Sequence, residues 1–171
     1  MASILKTDKI EGVTASGTVL MPAGHVIQTV FVHSTTRTAV SSSTYTNVSL
    51  TKAITPKYSD SLIYIQIGSG YNTEASTRRI DVTIERTATG LTTEFLHELE
   101  GLATNTARMQ SMVHHGNRME GTFVLTYVDQ PNTTNEVTYQ MKARENTAGS
   151  TIEIPSSNDQ VQCMVLQEIA Q

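Results

Sequence analysis

Apolar and polar residues alternate with a period of two along much of this chain, the pattern of strands that cover one face and wet the other. In 61–68, Ile63, Ile65 and Ile67 fall on one side and Tyr64 and Gln66 on the other. In 79–86, Ile80, Val82 and Ile84 alternate with Asp81, Thr83 and Glu85, and 136–144 repeats the pattern through Val137, Tyr139, Met141 and Ala143. Two segments are apolar on both sides. In 121–129, Phe123, Leu125 and Tyr127 face away from Thr122, Val124, Thr126 and Val128; the second segment is 161–169. Such strands belong in the middle of a sandwich or beneath a neighbouring subunit.

Further strands are expected at 25–33, 45–50, 110–115 and 151–154, giving about nine or ten in all. Turn signals separate them: Thr55-Pro56, Gly68-Ser69-Gly70, Thr89-Gly90, Gly116-Asn117, Gln130-Pro131-Asn132, Gly149 and Pro155. Short strands at this spacing predict an all-β protein, an antiparallel β-sandwich or jelly-roll-like domain. One stretch departs from the pattern. In 91–106, Phe95, Leu96, Leu99 and Leu102 stand near helical spacing, with Thr92 or Thr93 as a cap. A short helix and an extended edge strand both satisfy it.

The opening, MASILKTDKIEGVTASGTVLMPAG, fits neither element. It is too polar for the h-region of a signal peptide, and its small apolar groups are broken by charges and glycines. Such a segment can dock along another surface but cannot enclose a core. Residues 1–23 are therefore expected to form an extended anchoring arm, and 24–171 a single β-sandwich domain. The arm's docking residues would be Ile4, Leu5, Lys6, Ile10, Val13, Val19 and Leu20.

Composition narrows the function. A hydrophobic fraction of 38% with 16% charged residues and abundant Thr and Ser suits half-buried pleated surfaces. A formal charge of -4 gives no basic footprint for nucleic acid. No run approaches the ~18 apolar residues of a membrane span, so no membrane association is expected. The one cysteine, Cys163, lies in the apolar run VQCMVLQEI and reads as a small strand hydrophobe. A chain with no disulfide is expected to fold in a reducing cytoplasm.

Candidate chemistry is sparse. His114 and His115 are adjacent on an expected strand and point to opposite faces, so one chain cannot clamp an ion with both. His97-Glu98-Leu99-Glu100 lacks the second histidine of a zinc-protease helix. No serine sits in a Gly-x-Ser-x-Gly elbow and no glycine-rich turn precedes a helix. Asp81, Glu85 and Glu153 fall on the outward side of alternating strands, where solvated carboxylates are expected. No catalytic residue, metal ligand or cofactor is expected. A sugar-binding shelf needs exposed aromatic rings. The chain has no Trp, leaving Tyr58, Tyr64 and Tyr71 as the rings for such a surface.

The segments ASILK (2–6), HVIQTV (25–30), 43–56 with its Thr-rich strand and Ile-Thr-Pro turn, LIYI (62–65) and the closing LQEIA (166–170) carry a family resemblance. The chain resembles a group of bacteriophage virion structural proteins of the marine and cyanobacterial phage type, which open with a similar arm and close on a similar strand. The resemblance covers both ends and the first half; 71–135 carries no matching motif. It implies a non-enzymatic structural protein of the particle, made in the host bacterial cytoplasm and located in the virion. It further implies an oligomer, a homotrimer on this reading, whose partners are its own copies and other virion proteins of the capsid, tail or neck. Within that class the protein would be a capsid decoration (cement) protein or a tail-fibre module. The alternative is a lectin-like fibre tip that binds a host-surface glycan through distal loops such as 68–77 and 116–120. Subunit contacts are expected at Phe123, Leu125, Tyr127, Val165 and Leu166, since each large apolar side chain removed from water contributes ~1.5–3 kcal/mol.

Overall fold

A computed structural model of the chain describes residues 22–73, 78–96, 109–114, 119–145 and 151–171. Within them every regular element is a strand, as the β-branched, alternating sequence dictates. In chain order these are β1 (Val26–Ser34), β2 (Thr38–Val40), β3 (Thr46–Ile54), β4 (Leu62–Thr73), β5 (Arg78–Ala88), β6 (Glu94–Phe95), β7 (Gln110–His114), β8 (Met119–Asp129), β9 (Val137–Glu145), β10 (Ile152–Ile154) and β11 (Gln162–Ile169). All pairings are antiparallel.

The eight long strands divide between two sheets. The first runs β1-β11-β4-β8, with the short β10 beside the far end of β4 and β2 beside β10. The second runs β3-β9-β5, with β7 and β6 sharing the other flank of β5. Numbered among the long strands alone, the sheets read 1-8-3-6 and 2-7-4-5, and the chain crosses repeatedly from one to the other. This is the eight-stranded jelly-roll order, the arrangement expected of the domain.

The inward rows meet as expected. Ile63, Ile65 and Ile67 of β4, Leu125 of β8 and Met164 and Leu166 of β11 face Leu50 of β3, Ile80, Val82 and Ile84 of β5, and Tyr139 and Met141 of β9. All are 3% exposed or less. The opening arm lies outside the described residues, as do 97–106 of the stretch that departs from period two. The described start of that stretch is strand: Glu94 and Phe95 pair with Arg86 and Glu85 of β5.

Two expectations fail. Gly68-Ser69-Gly70 is no turn, because β4 runs through it to Thr73 in unbroken register with β8. The glycine at 70 answers a different need: a Cβ there would stand 1.9 Å from Gln160 Oε1, so the missing side chain makes room for a neighbour. The described part of the proposed distal loop 68–77 is therefore strand interior. Genuine turns fall at Thr89-Gly90, where Gly90 has φ +83°, and around Asn132, with φ 53°.

Asp81 is the second failure. It lies on the outward face of β5, yet its side chain is fully buried. The register explains this: Arg144 of β9 and Ser111 of β7 stand directly opposite it on its two flanks. Ser111 Oγ donates to Asp81 Oδ1 at 2.8 Å, and Arg144 Nε and Arg79 Nη2 each donate to Oδ2 at 3.1 Å. Tyr45 covers Arg144, with the guanidinium 4.7 Å from the ring centroid, and its ring meets Phe95 at 5.4 Å. Glu85 and Glu153 are not free solvated groups either; each pairs at 2.8 Å, with Lys142 and Arg37.

A second buried carboxylate fastens the loop between β3 and β4. Glu168 of β11 is fully buried and accepts bonds from the backbone N–H groups of Lys57 (2.7 Å) and Tyr58 (3.3 Å), from Ser61 Oγ (2.7 Å) and from Gln28 Nε2. No cation takes part in these four bonds; the charge is held by aligned donors.

Candidate interaction surface

The jelly-roll order leaves the outer face of the first sheet four strands wide. Cross-strand partners share a face, so the register fixes its rows. One row is Phe31–Val165–Gln66–Thr126, the next His33–Cys163–Gly68–Val124, and the third Thr29–Gln167–Tyr64–Val128. These three rows of four contain no Lys, Arg, Asp or Glu. Phe31 is 65% exposed, Val124 58% and Val128 50%, and Cys163 is exposed too. The rows span about 14 Å across the strands and about 13 Å along them, from spacings of ~4.8 and ~3.3 Å. β1 and β8 border this face, and among the described residues β8 pairs with β4 alone. A long strand edge beside an uncharged face that exposes Phe31, Val124 and Val128 is a feature that proteins ordinarily blunt with charge.

The expected contact residues divide between the two sides of the sheet. Phe123 (4% exposed), Leu125 (3%) and Leu166 (0%) face the second sheet and are consumed by the chain's own core. Tyr127 shares their inward row and packs half-buried against that core. Of the five, only Val165 lies on the outer face, at its centre. Residues that sequence reasoning missed take the other places, Phe31, Val124 and Val128. Alternation correctly separated Val124 and Val128 from Phe123 and Leu125. It carried no signal for which row faced inward, because both rows are apolar. The arm residues Ile4, Leu5, Lys6, Ile10, Val13, Val19 and Leu20 lie outside the described residues, as do His97 and His115. Pairing between the chain's two end segments starts at Gly24, whose N–H donates to Ala170 O at 2.8 Å.

The three tyrosines do not make a shelf. Tyr64 lies on the outer face, whereas Tyr71, an odd number of residues further along β4, points into the core and meets Phe123 at 6.3 Å between ring centroids. Burial pushes the Tyr71 phenol above its ordinary pKa.

A second charged cluster sits at the inner end of the sandwich. Arg86 of β5 donates to Asp129 Oδ1 at 2.7 Å and also to Glu94, and the Tyr139 hydroxyl donates to Asp129 Oδ2 at 2.8 Å. Burial pushes the Asp129 carboxyl above its ordinary value, opposed by the Tyr139 bond and by Arg86. Burial, followed by the negative charge of Asp129, raises the phenols of Tyr139 and Tyr127 as well. Arginine occupies one oxygen of Asp129 and tyrosine the other, which ties β8 of the first sheet to β5 and β9 of the second. Among the described residues no three His, Cys, Asp or Glu side chains stand together as a metal group.

These features define an antiparallel jelly-roll β-sandwich with one open uncharged face. No family model and no curated protein matches the chain. Among solved structures it is similar to a chain in the structure of infectious bursal disease virus Gt strain, with a TM-score of 0.44 and 7% identity. The match covers 95% of this chain, which spans 43% of that one.

Proposed function

We propose that this chain is a non-enzymatic structural protein of a bacteriophage virion, a jelly-roll module attached to the particle by residues 1–22 and by the outer face of its first sheet. The observation that carries the reading is that face: three uncharged cross-strand rows with Phe31, Val124 and Val128 standing out of them. The sequence resemblance to phage virion proteins supports it, and jelly rolls serve widely as capsid and lectin domains. Architecture alone assigns no role. The buried carboxylates Asp81, Asp129 and Glu168 are each held by several donors, which suits fixed structural groups rather than an acid and a base that exchange protons.

The face is small against the ~800 Å² that each partner gives to a standard interface, so one contact of this kind is weak. Copies joined as a homotrimer and tethered by their arms gain by multiplicity, since each further contact forms at millimolar effective concentration. Decoration and fibre roles differ in number, hundreds of copies per particle against a few dozen or fewer.

The test is incorporation. Phage particles assembled with Val124→Lys/Val128→Lys protein, and with protein lacking residues 1–22, are purified and the chain is counted by quantitative mass spectrometry. Both variants are expected to be folded by circular dichroism and depleted from particles. Incorporation of both at the wild-type copy number would overturn the reading.

A further inference from the structure

A sheet edge is a row of backbone donors and acceptors, and proteins protect such rows by keeping them short, bulged, charged or covered. Among the described residues the other edges of the two sheets use these devices. β1 has a register shift between Val26 and Gln28, and Gln28 Nε2 donates across to Thr55 O at 2.7 Å. β3 has a shift between Asn47 and Thr51. β2 is three residues long, β6 two and β7 five. β8 differs. Its eleven residues run against β4 in one unbroken register, from Met119 opposite Thr73 to Asp129 opposite Ile63. The segment contains no Lys, Arg or Pro. Its two carboxylates, Glu120 and Asp129, stand near the ends, and Asp129 is turned inward to Arg86 and Tyr139.

The open side of this edge is about 36 Å long, eleven residues at ~3.3 Å each. Its backbone groups are satisfied by another strand, and β8 of a second copy supplies one of equal length. Two antiparallel copies related by a two-fold axis at the strand midpoint place Val124 opposite the partner's Val124. Thr122 then faces the partner's Thr126, Glu120 the partner's Val128 and Asp129 the partner's Met119. All positions of the strand pair, outward residues meet outward ones, and no carboxylate stands opposite another. Any other register that keeps outward residues together leaves at least two residues of each strand unpaired. Threonine pairs and β-branched pairs are favourable across strands, whereas like charges directly opposite are not. Thr122, Val124 and Thr126 are all exposed in the single chain.

We infer that the edge of β8 is a two-fold docking strand for a second copy of this chain, joining two first sheets into one sheet of eight long strands. The joined sheet carries the uncharged outer rows of both copies on one face, about 34 Å across from seven spacings of ~4.8 Å. The contact forms between free chains and does not depend on attachment to a particle. A two-fold contact cannot close a trimer, so a trimer would be built on another surface. With a sheet thickness near ~10 Å the edge presents roughly 360 Å² per copy, less than half of the ~800 Å² of a standard interface. The association is therefore weak, and concentration decides it.

Full-length protein is followed by sedimentation velocity over a wide range of concentration. Thr122→Lys/Thr126→Lys and Thr122→Glu/Thr126→Glu each set two pairs of like charges directly across the two-fold axis. Wild type is expected to grow heavier with concentration. Each variant alone is expected to associate about tenfold or more weakly, with the circular dichroism of wild type because both threonines are exposed. An equimolar mixture of the two variants sets lysine against glutamate and is expected to sediment heavier than either variant alone. Wild type that keeps one mass at every concentration would overturn the proposal. So would association unchanged in both variants, or a mixture no heavier than its components, which is the result that pairing in another register or through another surface gives.

Discussion

Removing one oxygen atom at the buried end of the sandwich should reveal how Asp129 is held. In Tyr139→Phe the ring stays in place, since Tyr139 is fully buried among Ile84, Met141 and their neighbours and the substitution removes only the hydroxyl. That hydroxyl donates to Asp129 Oδ2 at 2.8 Å, and the carboxylate keeps only Arg86 on its other oxygen. A bond to an ionised group contributes ~1.5–3 kcal/mol and a bond to a neutral one about 1 kcal/mol. The loss should therefore be ~1.5–3 kcal/mol near neutral pH.

The pH dependence follows from the same bond. Burial raises the Asp129 carboxyl above its ordinary 3.8 and the Tyr139 bond pulls it down, so the variant's carboxyl should sit higher still. A raised acid binds more protons folded than unfolded, and stability falls as pH rises from 3.8 through the folded value. The fall is larger in the variant. The gap between the two proteins should accordingly be widest at neutral pH and narrow toward ~1 kcal/mol as acid protonates Asp129. Urea unfolding of both proteins near about pH 7 and about pH 4.5 measures it. A gap below ~0.5 kcal/mol at neutral pH, or one of equal size at both, would refute the ionised bond.

Gly121→Ala should cost ~1–3 kcal/mol, because the new Cβ meets the Tyr71 ring at 2.8–3.1 Å and that ring is locked against Phe123; Gly70→Ala should cost less, since it displaces only the flexible end of Gln160. Thermal unfolding of the two variants side by side checks the ranking, which fails if Gly70→Ala is the more damaging. Glu168→Gln should cost ~2–4 kcal/mol, since it turns an acceptor of four hydrogen bonds into a group with donors of its own, and hydrogen exchange at the Lys57 and Tyr58 amides should quicken.

The inward rows were legible in the sequence because their hydrophobic signal is local. Ile63, Ile65 and Ile67, or Ile80, Val82 and Ile84, announce a covered face by alternation alone. What stayed hidden depends on partners remote in sequence. Asp81 reads as solvated until Arg144, 63 residues away, is placed opposite it. Gly68 and Gly70 read as a turn because their neighbours from β8, β11 and the 155–160 loop are unknown at that stage. The outer face was obscured for a different reason: β8 is apolar on both sides, and only the finished sandwich decides that Phe123 goes in and Val124 stays out.

The place of β11 between β1 and β4 sets a schedule for the whole molecule. Translation delivers β1 and β4 before β11, yet neither pairs with the other in the finished sheet; each waits for β11 to be made and to slide in between them. Until then Phe31 and Val128 belong to separate pieces, and the row through Cys163 has a hole at its second position. A nascent or truncated chain thus has no continuous outer face to present, so the surface proposed for attachment comes into being only with completion of the strand order. Strand order thus makes the continuity of that face depend on β11, the one strand that pairs with both β1 and β4.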